Sequence, residues 1–596
     1  MKRVDGYAPI QDYALIGDGR ACALVAGDGS IDWLAVPRVD SETVFARLLD
    51  AGRGGAFELA PELDFRVERE YVGDSNVLRT TFVTARGTVR VTDAITLDNG
   101  AFLPWFELVR GIEGVSGTVP MRWRITPRFG AGEGPKKTTI ERLGTAVLAT
   151  SRPAMLAVYP FDAGEPHHTD DEITGALELG TGERASLVLR ATHDEPIPVA
   201  RRDWAERRLL DTARDWERWL ADAGVEGDWN AEVRRSALAL RALTYIPTGA
   251  IVAAPTTSLP ERIGGERNYD YRYAWVRDTA FTLDALINLG LLVQVHASFA
   301  WLLRAIERTE PDLHVFYDLD GDTTSTDEEL ELDGYRGSRP VRRGNAAAGQ
   351  LQLGCYGDLF ETADLYVREG NALDEHTAAR LADILDHLTT IWTREDSGIW
   401  ELPDKQHYTL SKIAVWTAFD RALRLVERGQ LPRERAQRWR ESAKQVREFV
   451  ERECWSEPRG CYAMFPGSTS LDASILRVSR MGFLDVTDER FSTIIDAIRD
   501  ELDAGSGLLY RYSGQQRAEG AFVACSFWLV EALARAGRVA EARRTMREVL
   551  GHANDVGLFS EEIDPESGGF LGNFPQGLSH LALVNAAAAI RDADSG

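Results

Sequence analysis

Cysteine is scarce in this sequence, and its spacing carries no metal or redox motif. The 596-residue chain has five cysteines and no CxxC pair. An odd number without paired spacing argues against a disulfide framework and against a zinc site. The chain also lacks a P-loop, a GxGxxG motif after a predicted strand, an HExxH motif and a GxSxG motif. These absences argue against the nucleotide-binding, metalloprotease and serine-hydrolase classes. We therefore expect no metal and no cofactor.

Excess positive charge and long apolar runs are also missing. The formal net charge is -25, and a chain this acidic does not bind nucleic acid or an anionic membrane through a general field. No run reaches the roughly 18 apolar residues that a membrane span needs. The first residues lack the apolar core of a signal peptide. We expect a cytoplasmic monomer or homo-oligomer with no nucleic-acid partner and no membrane partner.

The length of the chain and a change in its hydrophobic periodicity predict more than one domain. A chain of 596 residues exceeds the size at which a single core stops growing. Residues 1–198 contain short apolar runs between Gly, Asp and Asn, several alternating with period two, which predicts an antiparallel β-sandwich. Residues 199–227 are highly charged with helically spaced Trp and Leu, which predicts a linker helix.

Residues 228–596 have the periodicity of helices. About twelve segments follow one another, and they could pair as hairpins that close into a toroid with inner and outer rings. The periodicity alone equally allows an open solenoid. The predicted fold class is thus α+β and multidomain. The segments start near Ala231, Asp278, Val293, Ala348, Leu373, Thr409, Arg433, Leu471, Asp488, Glu519, Val539 and Gly577.

One candidate catalytic carboxylate is Glu401, which follows Trp400 in a loop bounded by Gly398 and Pro403. A neighbouring apolar ring raises the pKa of a carboxyl group because it desolvates the charged form. A raised pKa suits a general acid near neutral pH. The same pattern also fits a surface glutamate near a helix start, where the helix dipole favours negative charge.

A second candidate lies in residues 557–565, where Glu561 and Glu562 are adjacent. Neighbouring carboxylates repel each other, so at least one of them is usually solvated or engaged with a partner. The pair suits a catalytic carboxylate, and it suits an acidic turn before the last helix equally well.

Two further segments combine features that sugar binding uses. Residues 269–278 interleave four aromatic side chains with two Asp and two Arg, and sugars offer C–H faces to rings and hydroxyls to charged groups. A tightly packed loop with Arg–Asp pairs also fits, and Asp278 could simply cap the following helix. Residues 335–345 carry several arginines on a loop, which suits a phosphate or sugar site or a loop that balances nearby acid.

Together these motifs resemble glycoside hydrolase family 15, which contains glucoamylases, glucodextranases and bacterial trehalase-like proteins. The resemblance covers nearly the whole chain, and residues 12–19 and 29–34 look like the opening of the bacterial members. It implies an N-terminal β-sandwich followed by a C-terminal (α/α)6 barrel, and so favours the toroid over the solenoid.

The resemblance also implies roles for individual residues. The general acid of the family lies in a Trp-Glu motif, which falls on Glu401. The general base lies in a Ser-Glu motif, which falls on Glu561 after Ser560, with Glu562 as its competitor. A Trp-x-Arg-Asp motif and a later Arg-Tyr pair hold the sugar in the family. The predicted substrate-binding residues are Tyr273, Trp275, Arg277, Asp278, Arg339, Trp400, Arg511 and Tyr512.

The implied function is an inverting, exo-acting α-glucoside hydrolase that releases β-glucose from small isomalto- or malto-oligosaccharides. A trehalase that cleaves trehalose into two glucoses is the alternative. A glycoside phosphorylase would need no base carboxylate, and a non-catalytic sugar-binding protein would lose one carboxylate of the pair. The sequence does not fix the second sugar subsite, so the preferred linkage stays open.

Overall fold

The chain begins with a domain of antiparallel strands. The structure is a computed structural model that describes residues 3–98, 100–134, 136–224, 227–324, 326–516 and 518–595. In the strand of residues 87–95, Val89 and Val91 are buried, while Thr88, Arg90 and Thr92 are partly exposed. This alternation is typical of a strand with one face on a core. The strands are β1 (Tyr13–Gly17), β2 (Cys22–Ala26), β3 (Ile31–Ala35), β4 (Thr43–Phe45), β5 (Ala56–Pro61), β6 (Phe65–Tyr71), β7 (Leu78–Thr84), β8 (Gly87–Ile95), β9 (Leu97–Asp98), β10 (Ala101–Phe102), β11 (Phe106–Thr126), β12 (Thr139–Leu143), β13 (Ala146–Ser151), β14 (Ala154–Phe161), β15 (His167–His168), β16 (Ile173–Gly180) and β17 (Arg184–His193).

The 21-residue strand β11 belongs to both layers of this domain. Its first half pairs with β8 and β17, and its second half pairs with β5 and β16. Strands β1 and β5 contact β7 across the interior, and β1 also contacts β8. Two antiparallel layers that face each other around one core are the predicted β-sandwich. That prediction is confirmed.

A single long helix, α1 (Arg202–Ala221), connects the sandwich to the rest of the chain. It buries Leu209, Trp216 and Leu220, and it packs against β8, β9, β11 and β17. The linker is therefore held on the surface of the sandwich. The division of the chain at residues 198 and 227 stays a prediction.

The helices after α1 form two concentric rings. The inner ring runs α3–α5–α7, then a short 3-10 helix over Ala473–Arg477, then α10–α12, and α12 closes on α3. The outer helices bury one face, as in α11, where Ala542, Thr545, Met546 and Val549 are buried at helical spacing. These helices are α2 (Asn230–Leu243), α3 (Val276–Asn288), α4 (Leu292–Ile306), α5 (Gly354–Arg368), α6 (Glu375–Ile391), α7 (Thr409–Glu427), α8 (Ala436–Phe449), α9 (Glu489–Leu502), α10 (Val523–Arg535), α11 (Val539–Leu550) and α12 (Gly577–Ser595).

Closure of the inner ring confirms the (α/α)6 barrel and decides against an open solenoid. The segment predicted to start near Leu471 is a five-residue 3-10 helix instead of an α-helix. Asp472 before it stays extended because its carboxylate accepts hydrogen bonds from the Ser474 amide and the Trp400 indole. Among the described residues, no helix is long and apolar enough to cross a membrane.

The sandwich supports one loop of the barrel directly. The indole of the buried Trp33 donates a 2.8 Å hydrogen bond to the carbonyl of Pro255, and the Arg272 guanidinium lies 6.0 Å from the centre of its ring. Backbone hydrogen bonds then tie residues 253–258 to residues 269–273. The first domain therefore fixes the segment that leads into α3.

We expect Trp33→Phe to destabilise the protein by about 2–4 kcal/mol, because it removes a buried hydrogen bond and leaves a cavity. The midpoint of urea denaturation, followed by circular dichroism, measures this change. Trp204→Phe is the matched control, since Trp204 is 38% exposed on α1. Equal midpoints for the two variants would contradict the role given to Trp33.

Candidate active site

A cavity of about 400 Å³ opens at one end of the barrel. Most of its wall comes from loops that lead into the N-termini of the inner helices α3, α5, α7, α10 and α12. Helix N-termini carry partial positive charge, so this end of the barrel favours carboxylates and sugar hydroxyl oxygens. The lining residues are Glu261, Arg267, Tyr269, Tyr271, Arg277, Asn345, Ala346, Ala347, Gln350, Ile399, Trp400, Glu401, Leu402, Pro403, Arg511, Tyr512, Phe522, Glu561, Gln576 and Leu578.

Glu401 lies at the tip of a loop that is closed at its base by backbone hydrogen bonds. Asp396 and Gln406 exchange two backbone hydrogen bonds at the base of this loop. Glu401 itself has φ of 58°, a left-handed conformation that is uncommon for a residue other than glycine. The Gln350 amide donates to its carbonyl at 2.9 Å. Such strain persists only where the surroundings hold the residue in place, and it is common at functional sites.

The Glu401 carboxyl faces the cavity, and its side chain is 20% exposed. The Trp275 indole donates to Glu401 Oε1 at 2.7 Å, and Arg277 Nη1 lies 3.6 Å from the same oxygen. Burial raises the pKa of Glu401, while Arg277 and the Trp275 hydrogen bond act in the opposite direction. Trp400 lines the cavity too, but its indole N–H donates to Asp472.

Glu561 lies on the other side of the cavity and is 2% exposed. The Tyr271 hydroxyl donates to its Oε1 at 2.7 Å. Burial, reinforced by the nearby Glu261 carboxylate, raises the pKa of Glu561 to about 8. Gly572 makes room for this side chain, because a Cβ there would come within 2.4 Å of Glu561 Oε2.

Two neighbouring aromatic side chains donate hydrogen bonds to the two carboxyl groups. The Trp275 indole donates to Glu401, the Tyr271 hydroxyl donates to Glu561, and the centroids of the two rings are 5.4 Å apart. Glu401 and Glu561 therefore face one cavity from different walls, each oriented by its own donor. An acid and a base so placed can act on opposite faces of one sugar ring.

Arg277 and Asp278 lie beside Glu401 and are tied to each other. Arg277 Nη2 is 2.9 Å from Asp278 Oδ2, and its Nη1 donates to the carbonyl of Ile399. Arg277 Nε and Asp278 Oδ1 are buried without a hydrogen-bond partner among the described residues. Orphaned buried polar atoms of this kind are commonly satisfied by a ligand or by water.

Glu562 points away from the cavity, although it neighbours Glu561. Glu562 begins a two-residue strand and Glu561 directly precedes it, and successive side chains of an extended backbone face opposite sides. Glu562 is fully buried, accepts a hydrogen bond from the Gly520 amide, and lies close to Glu519 and to the lining residue Glu261. Burial raises its pKa well above the ordinary value.

The carboxylates of Glu261, Glu519 and Glu562 are the described group with the closest fit to a metal site. Arg511 Nη2 already lies among them, at 2.9 Å from Glu261, 2.5 Å from Glu519 and 3.7 Å from Glu562. A guanidinium thus takes the position that a cation would need, and the side chain of Arg511 supplies the positive charge there.

The structure brings most of the predicted site residues together. Trp400, Glu401, Arg277, Arg511, Tyr512 and Glu561 line the cavity, and Trp275 and Asp278 contact lining residues directly. Their roles toward substrate stay predictions.

Tyr273 and Arg339 do not reach the cavity. The Tyr273 ring packs against Phe316 with centroids 5.2 Å apart. Arg339 is 59% exposed and pairs with Asp333. Its neighbours on the same loop, Arg342 and Arg343, also pair with acidic residues. The arginines of this loop therefore balance local acid, and the placement of Tyr273 and Arg339 in the sugar site is corrected.

Several lining residues were absent from the sequence prediction. Glu261, Arg267, Asn345, Gln350 and Gln576 come from three separate segments. The loop that holds Glu261 and Arg267 is rich in proline and polar residues, which is a signal of function. Nothing in the local sequence shows which of its polar side chains turn inward.

Known proteins give this geometry a context. A sequence model described as Glycosyl hydrolases family 15 matches residues 228–547 and 536–588. The chain belongs to this family. A second model, described as Trehalase-like, N-terminal, matches residues 4–167. The family that the sequence motifs resemble is therefore confirmed.

Relatives of this family 15 chain match it nearly end to end. It is 32% identical over 601 residues to the trehalase of Thermoplasma volcanium, covering 99% of this chain and 95% of that protein. It is 34% identical over 619 residues to the trehalase of Mycobacterium tuberculosis, covering 97% and 89%. A crystal structure of a bacterial glucoamylase complexed with acarbose has a TM-score of 0.73 at 14% identity, covering 99% and 95%. That structural likeness shows the shared fold alone.

Family 15 membership makes this chain an enzyme, a glycoside hydrolase that acts on α-glucosidic bonds. The hydrolase class expected from the motifs is confirmed. The alternative of a sugar-binding protein without catalysis is set aside.

The Glu261 carboxylate adds to the effect of burial on the pKa of Glu561, and this contribution is testable. Glu261→Gln removes a negative charge, which stabilises the charged form of Glu561 and lowers its pKa. If catalysis needs the Glu561 carboxylate, activity falls as pH drops through this pKa. We therefore expect the acidic limb of the kcat/KM profile to move to lower pH. Glu266→Gln, at an exposed position of the same loop, should leave the limb in place, and an unmoved limb in Glu261→Gln would contradict the coupling.

Proposed function

We propose that this enzyme is an inverting trehalase, in which Glu401 is the general acid and Glu561 is the general base. The observation that carries the proposal is the pair of carboxyl groups on two walls of one cavity, each oriented by a separate aromatic donor. Glu401 protonates the glycosidic oxygen. Glu561 removes a proton from the water that attacks the anomeric carbon from the opposite face.

The raised pKa of Glu401 suits a general acid, because burial keeps this carboxyl protonated to higher pH. Glu561 acts as a base only when it is ionised, so its raised pKa sets the acidic limit of activity. The productive form carries a proton on Glu401. Arg277 and the Trp275 N–H stabilise the carboxylate that remains after proton transfer to the leaving sugar.

Trehalose is the substrate that the relatives favour. The archaeal and mycobacterial relatives that match nearly the whole chain are named trehalases, and the N-terminal domain matches a trehalase-like model. These findings support the alternative interpretation of the sequence more than the first, which was hydrolysis of isomalto- or malto-oligosaccharides. A cavity of about 400 Å³ is at the small end of ligand sites and suits a disaccharide.

Hydrolysis of short α-glucan chains stays a second candidate. The side chains at the cavity mouth are partly exposed, with Tyr269 at 36% and Arg267 at 39%, so a third sugar has room to extend outward. A phosphorylase is disfavoured because a phosphate nucleophile needs no base carboxylate, and Glu561 lines the cavity. We propose no metal or cofactor in the reaction, since both proton transfers use carboxyl groups.

The products report the substrate and the stereochemistry together. Inversion at one anomeric carbon of trehalose gives one β-glucose, and the leaving sugar keeps its α configuration. We expect equal amounts of α- and β-glucose in early proton NMR spectra. Release of α-glucose alone would contradict inversion. A panel of trehalose, maltose and isomaltose should show the highest kcat/KM for trehalose, and a preference for maltose or isomaltose would favour the second candidate.

Three matched substitutions test the catalytic pair. Glu401→Gln and Glu561→Gln should each lower kcat by about 10²–10⁴-fold, the usual worth of a positioned acid or base. Glu562→Gln should cost less than about tenfold, because its carboxyl faces away from the cavity and transfers no proton to substrate. A larger loss in Glu562→Gln than in Glu561→Gln would assign the base to Glu562.

A further inference from the structure

Glu519 lies behind the cavity wall and holds two arginines that line it. Its side chain is fully buried, and it is not among the lining residues. Arg511 donates to it twice, from Nε to Oε1 at 2.7 Å and from Nη2 to Oε2 at 2.5 Å. Arg267 Nη1 donates to the same Oε2 at 2.5 Å. One carboxylate therefore fixes both guanidinium groups.

The depth of each arginine indicates which part of the substrate it meets. Arg277, beside Glu401, is 14% exposed and shares its surroundings with the barrel interior, so it marks the floor of the cavity. Arg267 is 39% exposed and lies near the exposed Tyr269, so it marks the mouth. A substrate whose non-reducing sugar reaches the floor places its second sugar ring near the mouth.

We propose that Glu519 is a positioning residue for the second sugar ring, through the arginine wall formed by Arg267 at the mouth and by Arg511, which is 10% exposed and lies deeper. This inference rests on the proposed function only in that the substrate is an α-linked glucoside with a sugar as its leaving group. Glu519 touches neither the substrate nor the reacting atoms. It acts by setting where the guanidinium donors of the arginine wall point.

The geometry explains why a carboxylate is needed at this position. Arg511 packs against two aromatic rings, at 5.6 Å from the centroid of Trp400 and 5.3 Å from that of Phe522, so its in-plane donors must find partners at the edge. An amide in place of the carboxylate offers one acceptor oxygen, and its NH2 group would face guanidinium donors. Glu261 alone is a weaker partner for Arg267, at 3.7 Å.

The test compares two α-glucosyl substrates, of which only one has a second sugar ring as its leaving group. A disaccharide fills the second subsite, whereas α-D-glucosyl fluoride has a small leaving group and no second sugar. We expect Glu519→Gln to lower kcat/KM for trehalose about 100-fold, and for the fluoride less than about threefold, because a misplaced binding group affects only the substrate that it contacts. Arg267→Gln, at a half-exposed position with little effect on folding, should give a smaller loss with the same selectivity.

Glu531→Gln is the matched control. Glu531 lies on α10. Like Glu519, it is buried and binds two arginines, here Arg480 and Arg535, but it does not line the active-site cavity. Its loss should lower stability without separating the two substrates. Equal losses on trehalose and the fluoride in Glu519→Gln, or no loss on either, would overturn the proposal. If the wild-type enzyme prefers another disaccharide, that disaccharide replaces trehalose in the comparison. The trehalase assignment can then fail without contradicting the role of Glu519.

Discussion

Four carboxyl groups crowd into a region with little water beside the active-site cavity. Glu261, Glu519, Glu561 and Glu562 are each at most 7% exposed, and like charges repel strongly where the effective dielectric is low. Such an arrangement is stable only if a positive charge lies within the cluster or some of the carboxyl groups stay protonated. Arg511 supplies the positive charge. The raised pKa values of Glu561 and Glu562 reflect the retained protons. One guanidinium therefore reduces the repulsion within this cluster and also forms part of the cavity wall.

The two catalytic candidates differ because their surroundings differ. Glu401 is partly exposed to the cavity and has an arginine close to its carboxyl, whereas Glu561 is buried next to other acids and receives a tyrosine hydroxyl. Both lie on loops that precede inner helices of the barrel. Backbone conformation also contributes, since Glu401 adopts a left-handed conformation. Gly572 leaves space for the Glu561 side chain that a larger residue would fill. The barrel supplies the frame, and the loops supply the chemistry.

The β-sandwich contributes to this site without lining it. Trp33 bonds to Pro255, and backbone pairing carries that support to residues 269–273, where Tyr271 orients Glu561. The contact made by Trp33 in the first domain thus supports the loop that carries Tyr271, and Tyr271 contacts the proposed base. This continuity gives a physical reason for both domains to remain together in one chain, since a loose loop would misplace a donor that must lie within hydrogen-bond reach.

The sequence by itself determined the kinds of element, their order and the two motifs that carry Glu401 and Glu561. Periodicity records which residues of a segment share a face, so it predicted the sandwich and nearly all the helices, and among the described segments it was wrong at Ala473–Arg477, which is a short 3-10 helix. Tertiary structure alone decided which side chains meet. It excluded Arg339, turned Glu562 away from Glu561, and gathered Glu261, Arg267 and Glu519 from distant segments. These outcomes depend on side-chain direction and on closure of the helical ring, and local sequence encodes neither.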